Sequence, residues 1–101
     1  MLIFILMTCV LSPLAFARTM ATEAKIMEVC SASKEVCKCI AKTHAAAAKN
    51  EPKRRDQEVH VEWVIAYYKT NDPVELKKLS EQEPALSQFD EQVARDCTKT
   101  K

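Results

Sequence analysis

The chain contains no glycine among its 101 residues, whereas a protein of average composition and this length has about seven. Without glycine, the chain cannot form the glycine-rich loops that bind phosphates and dinucleotides, or the glycine-flanked serine turn of the α/β-hydrolases. The tight turns that join antiparallel strands also lack their preferred residue. The sequence therefore predicts an all-α protein that does not belong to these enzyme classes.

The charges are nearly balanced, with 15 Lys and Arg residues against 14 Asp and Glu residues and a formal net charge of +1. A protein that binds nucleic acid through its phosphates needs an excess of basic side chains, so we expect no nucleic-acid partner. Residues 18–55 are net basic and residues 56–101 net acidic. This asymmetry favours the packing of two complementary halves.

The N-terminal stretch Met1–Phe16 has no charged side chain. An apolar run of this length, interrupted by Pro13 and ending in Ala15-Phe16-Ala17, is typical of a secretory signal peptide. It falls short of the roughly 20 apolar residues that a membrane span needs. We predict that residues 1–17 are a signal peptide cleaved after Ala17. The mature chain then has no transmembrane segment and is periplasmic or secreted, with a bacterial envelope favoured.

Four cysteines remain in the mature chain: Cys30, Cys37, Cys39 and Cys97. An even number of cysteines in a short exported domain indicates a disulfide framework. Cys37 and Cys39 point about 200° apart on a helix, so each faces a different neighbour. A turn at residues 31–33 brings Cys30 opposite Cys37. We therefore favour Cys30–Cys37 with Cys39–Cys97 over Cys30–Cys39 with Cys37–Cys97.

The Cys-x-Cys spacing also permits a second interpretation. Thiols at Cys37 and Cys39, together with His44, are soft ligands suited to Cu(I) or Zn(II), and a dithiol can take part in redox exchange. Both thiolates cannot bind one ion without unwinding the helix, so this interpretation is the alternative. The favoured interpretation requires no cofactor.

Helix signals divide the mature chain into short segments. Ser33 is a suitable N-cap for a second helix, and Pro52 fits the first turn of a third. Asp72 followed by Pro73 marks the start of a fourth, which Pro84 separates from a last helix. We predict one all-α domain at residues 18–97, a small disulfide-stapled bundle of four or five short helices, with a frayed tail at residues 98–101.

The third predicted helix is apolar on nearly every side, which is typical of the central helix of a bundle. Its aromatic residues Trp63, Tyr67 and Tyr68 are candidates for partner binding, because an exposed Trp or Tyr anchors many interfaces. We expect His44 to be partly buried at the edge of the second helix's apolar face. The pattern allows His60 to face solvent.

The Cys-x-Cys at a helix start, the upstream Cys30 and the terminal helix from Leu86 to Cys97 resemble small exported bacterial helical proteins of uncharacterised function. The run from Glu62 to Leu79 is similar to periplasmic immunity proteins, which block secreted toxins of neighbouring cells. These resemblances imply an exported all-α protein and no catalytic residues. We therefore expect a protein that is not an enzyme and acts by binding another protein, with an immunity or inhibitor role as one concrete form.

Overall fold

A computed structural model describes residues 19–99 of the chain. The predicted signal peptide and the last two residues of the predicted tail lie outside this range. Over the described residues the chain forms five helices and no strand. Helix α1 covers residues 19–29, and the others are α2 (Lys34–Lys49), α3 (Arg54–Lys69), α4 (Pro73–Gln82) and α5 (Pro84–Lys99). The predicted all-α class is confirmed.

Side-chain caps begin two of the helices at the predicted positions. The Ser33 hydroxyl accepts a hydrogen bond of 3.3 Å from the backbone N–H of Val36 at the start of α2. The Asp72 carboxylate accepts one of 3.0 Å from the backbone N–H of Val74, with Pro73 in the first turn of α4. Each cap pairs an N–H group that a helix start leaves without an intrahelical partner.

Two helix bounds differ from the prediction. α3 begins at Arg54 with Lys53 at its N-cap, so Pro52 precedes the helix and does not occupy its first turn. α5 continues past Cys97 to Lys99, and the Thr98 hydroxyl donates to the Ala94 carbonyl at 2.8 Å. Residues 98 and 99, which were assigned to the tail, are therefore helical.

The central helix of the bundle is α2, and the prediction that it is α3 is wrong. Three residues of α3 are buried, whereas α2 buries a larger set and packs against both α3 and α5. Small side chains at Ala41, Ala45 and Ala48 explain the difference, because they let neighbouring helices approach the α2 axis closely. The buried residues of α2 are Val36, Cys37, Ile40, Ala41, His44, Ala45 and Ala48.

The hydrophobic core lies where α1, α2, α3 and α5 meet. Ile26 of α1 and Val64 of α3 are completely buried, and Val93 of α5 is nearly so. Helix α4 has no buried residue and lies against α3 and α5. The apolar cluster consists of Ile26, Val36, Ile40, Ala41, Trp63, Val64, Val93 and Cys97.

Two disulfides connect the helices. Cys30, just after α1, is bonded to Cys37 in α2, and Cys39 in α2 is bonded to Cys97 in α5. These are the pairs favoured from the sequence. Since Cys30 and Cys37 are joined across a short turn, α1 folds back along α2. Helices α3 and α4 carry no cysteine.

Two disulfides fit an extracellular or envelope location, because such bonds persist in oxidising compartments. Between residues 19 and 99, no helix combines the length and the apolar character that crossing a membrane requires.

Candidate functional site

Four polar side chains from three helices form one hydrogen-bonded series inside the bundle. The Tyr68 hydroxyl donates to Asp90 Oδ1 at 2.6 Å. His44 Nε2 lies 2.9 Å from the same oxygen, and His44 Nδ1 lies 3.0 Å from His60 Nε2. Both histidines and Asp90 are at most 5% exposed. We call Tyr68, Asp90, His44 and His60 the buried polar chain.

Helical spacing brings these polar residues into the interior. Residues three or four apart on a helix share one face, so a polar residue at that distance from a core residue also points inward. Each buried residue of the buried polar chain has a core residue three or four positions away on its own helix: Ile40 for His44, Val64 for His60 and Val93 for Asp90.

One assignment of protons accounts for the three hydrogen bonds. The Asp90 carboxylate accepts from the Tyr68 hydroxyl and from His44 Nε2–H. His44 Nδ1 is then an acceptor for the Nε2–H of His60. This leaves His60 Nδ1 as a bare acceptor, and that atom is buried without a hydrogen-bond partner. Buried polar atoms are rarely left unpaired, so this nitrogen is the most unusual atom of the interior.

The surroundings keep both ends of the series uncharged at neutral pH. Burial, and then the electrostatic effect of the neighbouring His44, lower the pKa of His60 from 6.5 to about 4. Burial and the hydrogen bond to Asp90 raise the pKa of Tyr68 above its ordinary value of 10.0. Tyr68 therefore remains a donor and His60 remains a neutral imidazole until the solution is acidic.

Phe89 of α5 covers the two imidazole rings. Its ring centroid lies 5.3 Å from that of His44 and 5.9 Å from that of His60, and both contacts are edge-to-face. The Phe89 side chain is also 36% exposed. One part of the ring therefore packs on the histidines while another part contacts water, so Phe89 separates the pair from solvent on this side.

The expectations for the histidines need correction. His44 is 1% exposed and His60 is 2% exposed, so His44 is fully buried and His60 does not face solvent. The spacing of His60 to Val64 was a signal for burial that could have been used. Asp90 was not identified as a site residue, because nothing in the sequence of α5 shows that two residues of other helices would reach it.

The aromatic candidates for partner binding have different environments. Trp63 is 4% exposed, and its Nε1–H donates to the Leu79 carbonyl of α4 at 2.8 Å, so it holds α4 on α3 and is not an exposed anchor. Tyr67 is half-buried and stacks on Trp63 with ring centroids 4.9 Å apart. Tyr68 is half-buried and belongs to the buried polar chain.

The structure does not assemble the alternative ligand set. Cys37 and Cys39 are bonded to different partners, so neither offers a thiolate. His44 uses one ring nitrogen toward His60 and the other toward Asp90. Across residues 19–99, no group of three or more His, Cys, Asp or Glu side chains is arranged to hold a metal ion.

A groove of about 560 Å³ lies between α1, α2 and α3. Ala45 and Ala48 of α2, which are buried, line its base, and Val61 of α3, which is half-buried, lies on its wall. Charged side chains surround the opening: Lys25, Lys49, Arg54, Glu58 and Glu62. We call this feature the α1–α3 groove. Its apolar depth and charged border are features of surfaces that bind other molecules.

The two features differ in what can reach them. The histidines and Asp90 of the buried polar chain are at most 5% exposed, whereas exposed charged side chains border the α1–α3 groove. Comparison with known proteins adds no relative from which a role could be transferred. No protein-family model, no curated protein and no solved structure matches the chain.

Proposed function

We propose that this chain is an exported, non-catalytic protein that binds a segment of another protein in the α1–α3 groove. The observation that carries the proposal is the construction of the groove, with alanines at its base and charges of both signs at its border. An amphipathic helix laid into an apolar groove is a recurring mode of protein recognition.

The groove is held in shape before any partner arrives. The Cys30–Cys37 disulfide ties α1 to α2, so one wall is fixed relative to the base. The Gln57 side chain donates to the carbonyls of Lys49 and Glu51 at 3.3 and 2.9 Å, and this links the start of α3 to the end of α2. A surface that is already ordered loses less conformational entropy on binding.

The border charges suggest how a partner segment would be oriented. Lys25 and Lys49 come from α1 and α2, whereas Glu58 and Glu62 come from α3. Arg54 forms an exposed ion pair of 3.7 Å with Glu58, which leaves the acidic side less negative. A partner helix with its apolar face flanked by acidic residues on one side and basic residues on the other matches this border, and such matching sets register and association rate.

Export and the kind of partner belong to the same proposal. A disulfide-bonded chain is suited to the periplasm or the extracellular medium, and we favour a bacterial envelope. Occlusion of a partner's surface requires no chemistry from the binder. An immunity or inhibitor role is the concrete form that we propose, with the acidic residues of α3 to α5 assisting orientation.

The test uses two valines that differ in position. Val61 lies on the wall of the groove, and Val74 is 61% exposed on α4, outside it. The disulfide-intact mature chain and its Val61→Arg and Val74→Arg variants are immobilised and exposed to envelope and medium proteins of the source cell. We expect a partner that binds the purified wild-type chain and Val74→Arg but loses at least tenfold in affinity for Val61→Arg.

Circular dichroism of each variant verifies that the helices are retained. Equal binding by Val61→Arg and the wild-type chain contradicts the proposed groove, as does an equal loss in both variants. Absence of any saturable protein partner for the wild-type chain contradicts the binding function itself.

A further inference from the structure

We infer that the buried polar chain is an acid-sensitive lock, in which protonation of His60 releases α4 and the first half of α5 while the disulfides keep α1, α2 and the end of α5 together. This device is separate from the α1–α3 groove and does not depend on a partner. It follows from the unpaired buried nitrogen of His60 and from the disulfides, which hold α1, α2 and the end of α5 but not α4.

A second proton on His60 has no place in the closed structure. The Nε2–H of His60 already donates to His44 in the proton assignment given above, so the new proton goes to Nδ1, which is buried and has no acceptor. A buried donor without an acceptor is unfavourable, and more so when the group is charged. Water must therefore reach this nitrogen when it is protonated.

Among residues 19–99, the groups that surround His60 offer its protonated ring no free counter-charge. His60 is hydrogen-bonded to His44 of α2. His44 is in turn hydrogen-bonded to the Asp90 carboxylate of α5. Tyr68, on the same helix as His60, donates to that carboxylate. None of these three hydrogen bonds goes to α1 or α4. Asp90 Oδ1 already accepts two hydrogen bonds, and the raised pKa of Tyr68 keeps that hydroxyl uncharged. The lowered pKa of His60 agrees with this environment.

Phe89, in the first half of α5, covers His60, and α4 packs against α5 with a hydrogen bond of 3.2 Å from the Ser87 hydroxyl to the Ser80 hydroxyl. Neither α4 nor the first half of α5 is held by a disulfide. α4 has no buried residue and no disulfide, and the hydrogen bond from Trp63 to Leu79 connects it to α3. The first half of α5 carries Phe89, which is partly exposed over the two imidazole rings. Segments with few buried contacts open at the lowest free energy. The other end of α5 is different, because Cys97 is bonded to Cys39.

Trp63 reports this opening directly. It is the only tryptophan of the chain, and its indole lies beneath α4 through the Nε1 contact with Leu79. Release of α4 exposes the indole and shifts its emission to longer wavelength. Far-UV circular dichroism follows the helices at the same time, so a local opening is distinguished from global unfolding.

The experiment records Trp63 emission and circular dichroism of the disulfide-intact mature chain from about pH 7.5 to about pH 3.5. This range contains the ordinary histidine pKa of 6.5 and the lowered pKa of His60, about 4. We expect a reversible red shift as the solution is acidified through this range, with most of the helical signal retained. His60→Gln keeps a donor for His44 but does not titrate here, so the red shift should disappear. Glu62→Gln, an exposed change on the same helix, should leave it unchanged.

A second measurement does not depend on how the variants fold. Carbon-detected NMR of the two imidazole rings in the wild-type chain should show His60 titrating together with the Trp63 emission. Constant emission over the whole range overturns the inference. So does a His60→Gln variant with the wild-type transition, or a His60 that titrates without any change at Trp63.

Discussion

At the scale of single residues, the structure is decided by a few hydrogen bonds in a small apolar interior. Asp90 is an acid at 5% exposure, which is costly for a carboxylate unless donors replace the lost water. The Tyr68 hydroxyl and the imidazole of His44 supply those donors to one oxygen. The stability of this region therefore depends on each donor separately.

Removing the Tyr68 hydroxyl tests this dependence. Tyr68→Phe deletes the hydrogen bond of 2.6 Å to Asp90 and leaves the carboxylate with fewer donors. Hydrogen bonds to charged groups contribute about 1.5–3 kcal/mol, so we expect the free energy of unfolding to fall by about that amount. Urea unfolding of the mature chain at neutral pH measures it.

The neighbouring tyrosine is a matched control. Tyr67 stacks on Trp63, and its hydroxyl has no hydrogen-bond partner within residues 19–99. Tyr67→Phe keeps the ring and should change the free energy of unfolding by less than about 0.5 kcal/mol. Equal effects of the two substitutions would show that the Tyr68 hydroxyl does not support Asp90.

Individual residues also show where prediction from sequence succeeds and where it stops. Asp72 caps α4 through a contact two residues along the chain, and such local contacts are readable from the sequence. The burial of His60 was partly readable, because it lies four residues before Val64. The hydrogen-bond partner of His60 could not be predicted from the sequence, because the contact between His44 and His60 depends on which faces of α2 and α3 pack together.

At the scale of helices, packing depends on residue size as much as on hydrophobicity. The concentration of apolar residues in α3 suggested a central position, but alanines give α2 that position, since they allow close approach on several sides. The divergence of Cys37 and Cys39 on one helix, together with the turn at residues 31–33, favoured the observed cysteine pairing and left the other pairing as an alternative. The α1–α3 groove was not predicted, because it depends on the spacing between three helices.

The two disulfides should contribute unequally to stability. Cys39–Cys97 joins residues separated by 58 positions, and Cys30–Cys37 joins residues separated by 7. On the chain-entropy model, the longer loop is worth about 4 kcal/mol and the shorter about 2.5 kcal/mol. We expect the double Cys→Ser variant of the long pair to lose more stability in urea unfolding than the double variant of the short pair.

Thiol titration supplies the control for this comparison. The unfolded wild-type mature chain should show no free thiol before reduction, and neither double variant should gain one. Free thiols in the wild-type chain would contradict the disulfide framework and favour the alternative metal or redox role. A larger loss for the short pair would show that native-state effects outweigh loop entropy.

At the scale of the whole molecule, the structure combines a firmly held part with a part that is held by fewer contacts. α1, α2 and the end of α5 are connected by both disulfides, and α1 and α2 form most of the α1–α3 groove. α3 and α4 are held by packing and hydrogen bonds alone. The proposed binding surface therefore lies mainly on the disulfide-linked part. His60, whose protonation is proposed to open the structure, lies on α3, in the part that carries no disulfide.

The buried polar chain should make the stability of the whole domain depend on pH. The pKa of His60 is about 4 in the folded protein, against 6.5 without these surroundings. Between these values the unfolded chain binds more protons than the folded one, so the free energy of unfolding falls as the pH is lowered from about 6.5 to about 4. The full loss is about 3 kcal/mol, a large part of the stability of a small domain.

Urea unfolding at a series of pH values measures this loss, and the upper part of the range is the most informative. Carboxylates titrate near pH 4 in unfolded chains, so a slope between about pH 6.5 and about pH 5 is assigned to histidine. We expect that slope in the wild-type chain and in Glu62→Gln, and a much smaller slope in His60→Gln. A slope that survives His60→Gln would show that His60 is not the source of the pH dependence, and a flat wild-type profile would mean that His60 accepts a proton without disturbing the fold.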